Sequence, residues 1–589
     1  MTIHGAIVSS NDTISFGNIN LGQNLSVNSA GGAISIGTIT AASGSRDVTI
    51  TSTGGSANTI AVGAIGGSNG RINTVAITSG TLTTLNGNIT TDNNSGNSVT
   101  LAGTTTNGAN ITIDTNNTSN DGAINIAAFS SSNNNLALDS GTADINLSGA
   151  AFNLGSGSLT TTGDINLAAN VSITATGGIT INNDIDADDA SSNDRTLTLD
   201  AGTGATMTFS GAIGSDQVLA GLTISQSNGA TFGSTVNAGT ITLTDTQDGS
   251  DILFNGNVTA TTFTTAAQGY DLALTGSSNT ITNAVTFQNT GTLTLGNASG
   301  DAFTFNGGLT ENTSGTVTLA GSIDSSNDVI TFGAITLAAA TTLDTNASST
   351  TGDITIGAVT GNNNNLTLDT TASTGSADHT FTGDINLGSG ALSVTGDVVL
   401  GANVTVTATP GSGTGILFND AINADNASSN DRTLSLSSGQ SSTITVTGNV
   451  GTSQALAGLT IIQSNQTTFS ASVDVTDSNS GTITLTDTEN DKHIRFEGNL
   501  TADNLTTAAE GYRLFLIGDT TTFTNAVSFQ NADNVALGNE AGDSLTFNGG
   551  LTTTGVSGGG TVFLNGTIAT SNDAIVFGAV TLGSNTIVD

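Results

Sequence analysis

Residues 252–254 read Ile-Leu-Phe and residues 271–274 read Asp-Leu-Ala-Leu. The chain returns to the same phase 242 residues later, at Ile494-Arg495-Phe496 and Arg513-Leu514-Phe515-Leu516. In the first segment the outer pair stays apolar while Leu253 gives way to Arg495. In the second the leucines hold, while Asp271 becomes Arg513 and Ala273 becomes Phe515. A close-packed interior accepts neither a reversed charge nor a large gain in volume, so these alternate positions face water. Ile252, Phe254, Leu272 and Leu274 therefore point to a core, and the period of two makes each segment a half-buried strand.

The same alternation runs along the whole chain. Thr240-Ile241-Thr242-Leu243-Thr244, Thr292-Leu293-Thr294-Leu295, Ala302-Phe303-Thr304-Phe305, Leu366-Thr367-Leu368 and Val404-Thr405-Val406 all show it. Asn86-Gly87, Asn255-Gly256, Asn306-Gly307 and Asn565-Gly566 punctuate the strands with residues that tolerate tight turns. Longer self-similarity is plain. Ala187 through Leu197 returns as Ala424 through Leu434, and Ser326-Asn327-Asp328 returns as Ser571-Asn572-Asp573. The super-repeats are placed at about 140–375 and 376–589, with a partial copy at 1–139, on one continuous stack.

Composition closes off other classes. The 589 residues hold 7 Lys+Arg against 46 Asp+Glu, a net charge of −39, with 77 glycines, one proline and no cysteine or tryptophan. Glutamate and lysine, both good helix formers, are almost missing, which argues against helices. So acidic a chain lacks the basic patches that nucleic acid or anionic membrane needs, and neither partner is expected. No stretch reaches the roughly 20 apolar residues of a spanning helix. Met1-Thr2-Ile3-His4-Gly5 opens no charged-then-apolar leader, so the expectation is a processed segment or export by another signal.

An array of β-sandwiches would need longer strands and aromatic core markers spaced by domain. Very short strands, Gly- and Asn-rich turns and a thin apolar core fit an all-β, right-handed parallel β-solenoid without helices. The strand spacing predicts roughly twenty residues per coil, hence on the order of 28 coils. Gly163-Asp164-Ile165-Asn166-Leu167, Gly352-Asp353-Ile354-Thr355-Ile356 and Gly383-Asp384-Ile385-Asn386-Leu387 resemble the degenerate repeats of filamentous-haemagglutinin-like bacterial surface adhesins. That resemblance implies a right-handed β-helical fibre, exported to the cell surface, with an elongated and non-enzymatic role.

Gly566 through Gly578 resembles Gly5 through Gly17, with a middle copy at Gly321 to Gly333. The expectation is a segment of a longer repetitive fibre, or a subunit that stacks end to end. An adhesin that binds surface glycans or a host receptor is the rival reading. Chemistry has few candidates, and no catalytic, cofactor-binding or metal residues are assigned. Asp184, Asp186, Asp188, Asp189 and Asp194 form the densest acidic cluster, and calcium is the one cation their oxygens would suit. The second copy has Asn423 and Asn426 there, so the plainer reading is a polar loop. Gly296 to Asp301 and Gly538 to Asp543 read as turns. His4, His379 and His493 lie far apart without triad partners, and sugar cleavage by paired aspartates would want Arg, Lys and aromatics around a cleft. Thr240-Ile241-Thr242 and Thr482-Ile483-Thr484 suggest an ice-binding row, which Asp271, Arg495 and Phe515 at outward positions would interrupt.

Overall fold

The computed structural model describes residues 1–42, 46–55, 58–67, 71–92, 96–117, 120–131, 133–188, 195–312, 315–345, 352–370, 377–425, 432–583 and 585–589. They form an all-β parallel solenoid of about 24 turns, with no helix among them. Each turn takes about 23 residues rather than the expected twenty. The corners account for the difference. Ile145 stacks on Ile165 and Ile165 on Ile185, steps of 20. Ile179 stacks on Met207, a step of 28, and Val317 on Ile335, a step of 18. Core register is kept while the corner segments between strands vary in length.

The chain divides into two compact units, chiefly Met1–Asn283 and Thr316–Asp589. In the first, three strands per turn build three faces. One face stacks Leu136–Asp139, Leu159–Thr162, Ile179–Ile181, Met207–Phe209, Ala230–Phe232, Asp251–Phe254 and Asp271–Leu274. The second stacks Ile145–Leu147, Ile165–Leu167 and Ile185–Ala187 and continues through Ile213 to Val236. The third stacks Ala151–Asn153, Val171–Thr174 and Thr196–Asp200, then the later halves of Leu219–Ser227 and Val236–Thr246. The second unit repeats the arrangement, with His493–Phe496 and Arg513–Leu516 on its first face and Thr433–Ser437, Gly458–Ser464 and Thr482–Thr488 on its third.

Alternation decides which side chains enter the core. Ile252, Phe254, Leu272 and Leu274 are buried, as are Ile494, Phe496, Leu514 and Leu516 one repeat later. Like stacks on like: Phe209, Phe232 and Phe254 form a column with ring centroids 4.8 and 4.5 Å apart and nearly parallel planes. Phe469 and Phe496 repeat the stack at 4.9 Å. Tyr270 and Tyr512 hold equivalent places, each buried and donating its hydroxyl to the carbonyl of Leu243 or Leu485, at 3.4 and 3.3 Å.

The Gly-Asp-Ile motif acquires a mechanical meaning. Gly163 has a φ of +117°, and a Cβ there would lie 1.9 Å from Ser140 Oγ of the preceding turn, so no side chain fits. Each motif aspartate then accepts a backbone amide from the next turn: Asp164 from Asp184 (3.3 Å), Asp353 from Asp378 (3.0 Å) and Asp384 from Thr405 (2.7 Å). These bonds give the donating amides a side-chain acceptor and tie each turn to the one before it. The three copies of the Ser/Thr-x-x-Asp turn also fold alike, with Ser9, Ser325 and Thr570 donating to the carbonyls of Asp12, Asp328 and Asp573.

Candidate functional site

The acidic cluster falls on the second face of the first unit, where Ile185–Ala187 alternates inward and outward. Outward Asp186 ends a column of amides, stacking on Asn166, which stacks on Asn146, which in turn stacks on Asn125. Asp144, Asp164, Asp186, Asp188 and Asp216 with Gln217 line an open groove of about 320 Å³. Asp189 and Asp194 lie outside the described residues.

Three of the carboxylates lining this groove, Asp164, Asp186 and Asp188, are engaged by the protein itself, and so is the nearby Asp184. Asp184 accepts the amide of Ala212 at 2.6 Å. Asp186 Oδ1 accepts the amides of Asp216 and Gln217, at 2.9 and 3.1 Å, and so holds the corner of the next turn. Burial, partly offset by those two amides, raises the Asp186 carboxyl, and the neighbouring Asp216 and Asp184 charges raise it further. Asp188 makes a two-pronged ion pair with Arg195, at 2.6 and 3.2 Å.

The second copy tests whether charge matters here. Asn423 stands where Asp186 stands, and its Oδ1 accepts the amides of Ser453 and Gln454 at 3.1 and 3.3 Å. Asp425 and Arg432 reproduce the ion pair, at 2.7 and 3.0 Å. A neutral amide thus does the work of Asp186, and the task is to accept two backbone protons. Among the described residues no three His, Cys, Asp or Glu side chains converge as a metal site would require. Gly296 to Asp301 and Gly538 to Asp543 are turns closed from within, Asp301 accepting from Asn297 and Ala298 and Asp543 from Asn539 and Glu540.

The histidines are scattered. His493 is half-buried, with Phe515 edge-on at 5.9 Å, and burial first, then Arg495, lowers its pKa. His379 is fully buried, its Nε2 2.9 Å from the carbonyl of Thr395. Burial lowers its pKa, against the opposing pull of that carbonyl and of Asp369, Asp420 and Asp353. Comparison with family models, curated proteins and solved structures finds no match to this chain.

Proposed function

We propose that the chain is a structural segment of an extracellular or cell-surface fibre or stalk, acting through its shape and surface. Further turns, of a longer chain or of a second copy, would continue it end to end. One observation supports this most directly: within each unit the inner strands hydrogen-bond in parallel to the turn before and the turn after. Such a stack adds stability turn by turn and shares load along its ladders. A net charge of −39 discourages side-to-side clumping. Immunogold labelling of native cells tests the reading. Label along filaments or stalks outside the cell is expected; label confined to the cell interior would overturn it, and label at the tips of rods touching another surface would favour the adhesin alternative.

A second reading, adsorption to ice, is favoured by a specific arrangement. The third face carries an outward column of Ser172, Thr198, Thr223, Thr242 and Thr264 in the first unit. In the second unit the column is Thr405, Ser435, Thr460, Thr484, Thr506, Ser528 and Thr552. Arg495 and Phe515, expected to interrupt such rows, belong to the first face. Hydroxyls repeat along each column at the strand spacing of about 4.8 Å, joined by methyls wherever the residue is threonine. Thermal hysteresis that disappears in a Thr223→Lys, Thr242→Lys variant would support adsorption, and its absence from the parent protein would end this reading.

A further inference from the structure

We infer that His379 is an acid-operated release in the second unit, whose protonation opens the turn that it closes. The residue occupies an inward slot of Asp378–Phe381, in a column that reads Ile330, Ile354, His379, Val398, Ile422. Every other member is aliphatic, and His379 has no exposed surface. Its ring reaches the corner between two faces, where Nε2 meets the Thr395 carbonyl of the following turn and lies 3.3 Å from Thr370 Oγ1 of its own turn. A carbonyl only accepts, so Nε2 carries the proton and the ring ties one turn to the next. Thr370 in turn donates to the carbonyl of Ala377. Nδ1 has no protein partner. A second proton would therefore be placed on a nitrogen with no acceptor, inside an aliphatic column, where an uncompensated charge is costly.

The charged groups around the ring set the window. Asp353, Asp369 and Asp420 favour the charged imidazole, but burial outweighs them and the ring's pKa is lowered. The unfolded or opened turn takes up its proton near the free-imidazole value of about 6.5, while the closed turn does not. Below that pH the open form binds more protons, so the closed form is lost as pH falls. Asp378, stacked on Asp397 and beside Asp353, has the opposite effect. Burial and those two charges push its carboxyl up to about 6, so the closed turn gains a proton before the open one does. His379 opens the turn on acidification and Asp378 resists, and each can be removed separately.

Hydrogen exchange of the whole chain tests this, with the strands Ile145–Leu147 and Ile165–Leu167 of the first unit as internal reference. Relative to them, the opening constant of Asp378–Phe381 and Asp397–Leu400 rises by up to about 3-fold between about pH 7.5 and pH 5: a ring that stays neutral when closed contributes up to about 30-fold, of which Asp378 offsets about 10-fold. His379→Gln keeps a donor for the Thr395 carbonyl without a titrating ring, and its opening constant stays level or falls on acidification. Asp378→Asn steepens the rise. If His379→Gln proves unstable at neutral pH, His379→Val matches the Val398 above it. Exchange at the imidazole carbon gives the ring's own pKa, expected below 6.5. A value at or above 6.5, or an acid response in His379→Gln equal to that of the parent, would overturn the inference.

Discussion

Phe232→Ala is the perturbation that most directly probes the core. Phe232 is fully buried between Phe209 at 4.8 Å and Phe254 at 4.5 Å, with planes within 10° of parallel on both sides. Truncating a buried phenylalanine costs about 3–5 kcal/mol, the transfer of the ring plus the cavity left behind. Within that figure each lost ring pair accounts for about 0.5–1.5 kcal/mol. Phe515 supplies the contrast, because it is only half-buried, faces outward and is covered by the Arg495 guanidinium 5.7 Å from its centroid. Phe515→Ala loses about 1 kcal/mol at most. A stack in which each turn touches only its neighbours keeps such damage local. Hydrogen exchange should therefore show Met207–Phe209 and Asp251–Phe254 deprotected in Phe232→Ala, with Ile145–Leu147 unchanged. Equal losses for Phe232→Ala and Phe515→Ala, or uniform deprotection across the unit, would refute the inward and outward assignments.

Tyr270 and Tyr512 predict an alkaline limit. Burial pushes the Tyr270 phenol up to about 12 and raises Tyr512 as well, whereas an unfolded tyrosine ionises near 10. The folded state holds the proton longer, so stability is full below pH 10 and falls above it; tyrosinate absorbance should appear together with loss of the β circular dichroism signal, not before it. Tyr512→Phe removes the bond to the Leu485 carbonyl and costs about 1 kcal/mol by denaturant midpoint. Asp186→Asn copies the second repeat's Asn423 and should shift the midpoint by less than about 0.5 kcal/mol. Calcium should leave the melting of both proteins unchanged; a calcium-dependent rise abolished by Asp186→Asn would restore a cation site to that groove.

The core was readable because sequence pattern and burial share one period. Leu253 against Arg495 and Ala273 against Phe515 marked the wet side, and the buried partners are the ones that alternation names. Turn length was less legible, since corners obey no period and steps run from 18 to 30 residues. Alternation also gives only two sides, while the strands form three faces; Arg495 and Phe515 therefore looked like neighbours of Thr482 and Thr484 although they stand on another face. The task of the acidic cluster was hard to read for a related reason. The amides that Asp186 accepts come from the next turn, 30 and 31 residues on, beyond the reach of any local motif. Its replacement by Asn423 was the available signal. His379 drew attention only as a catalytic candidate, although its slot in Asp378-His379-Thr380-Phe381 is the inward one.

The uneven corners have a consequence for what this scaffold accepts. Ladder register survives a twelve-residue spread in the step between stacked strands, so chain added at a corner leaves the inward columns in place. Foreign peptides spliced into such corners would be displayed turn by turn within a unit, each held by the ladders on either side of it. Corners fastened by an aspartate to the following turn, as at Asp164, Asp353 and Asp384, are the ones to leave untouched.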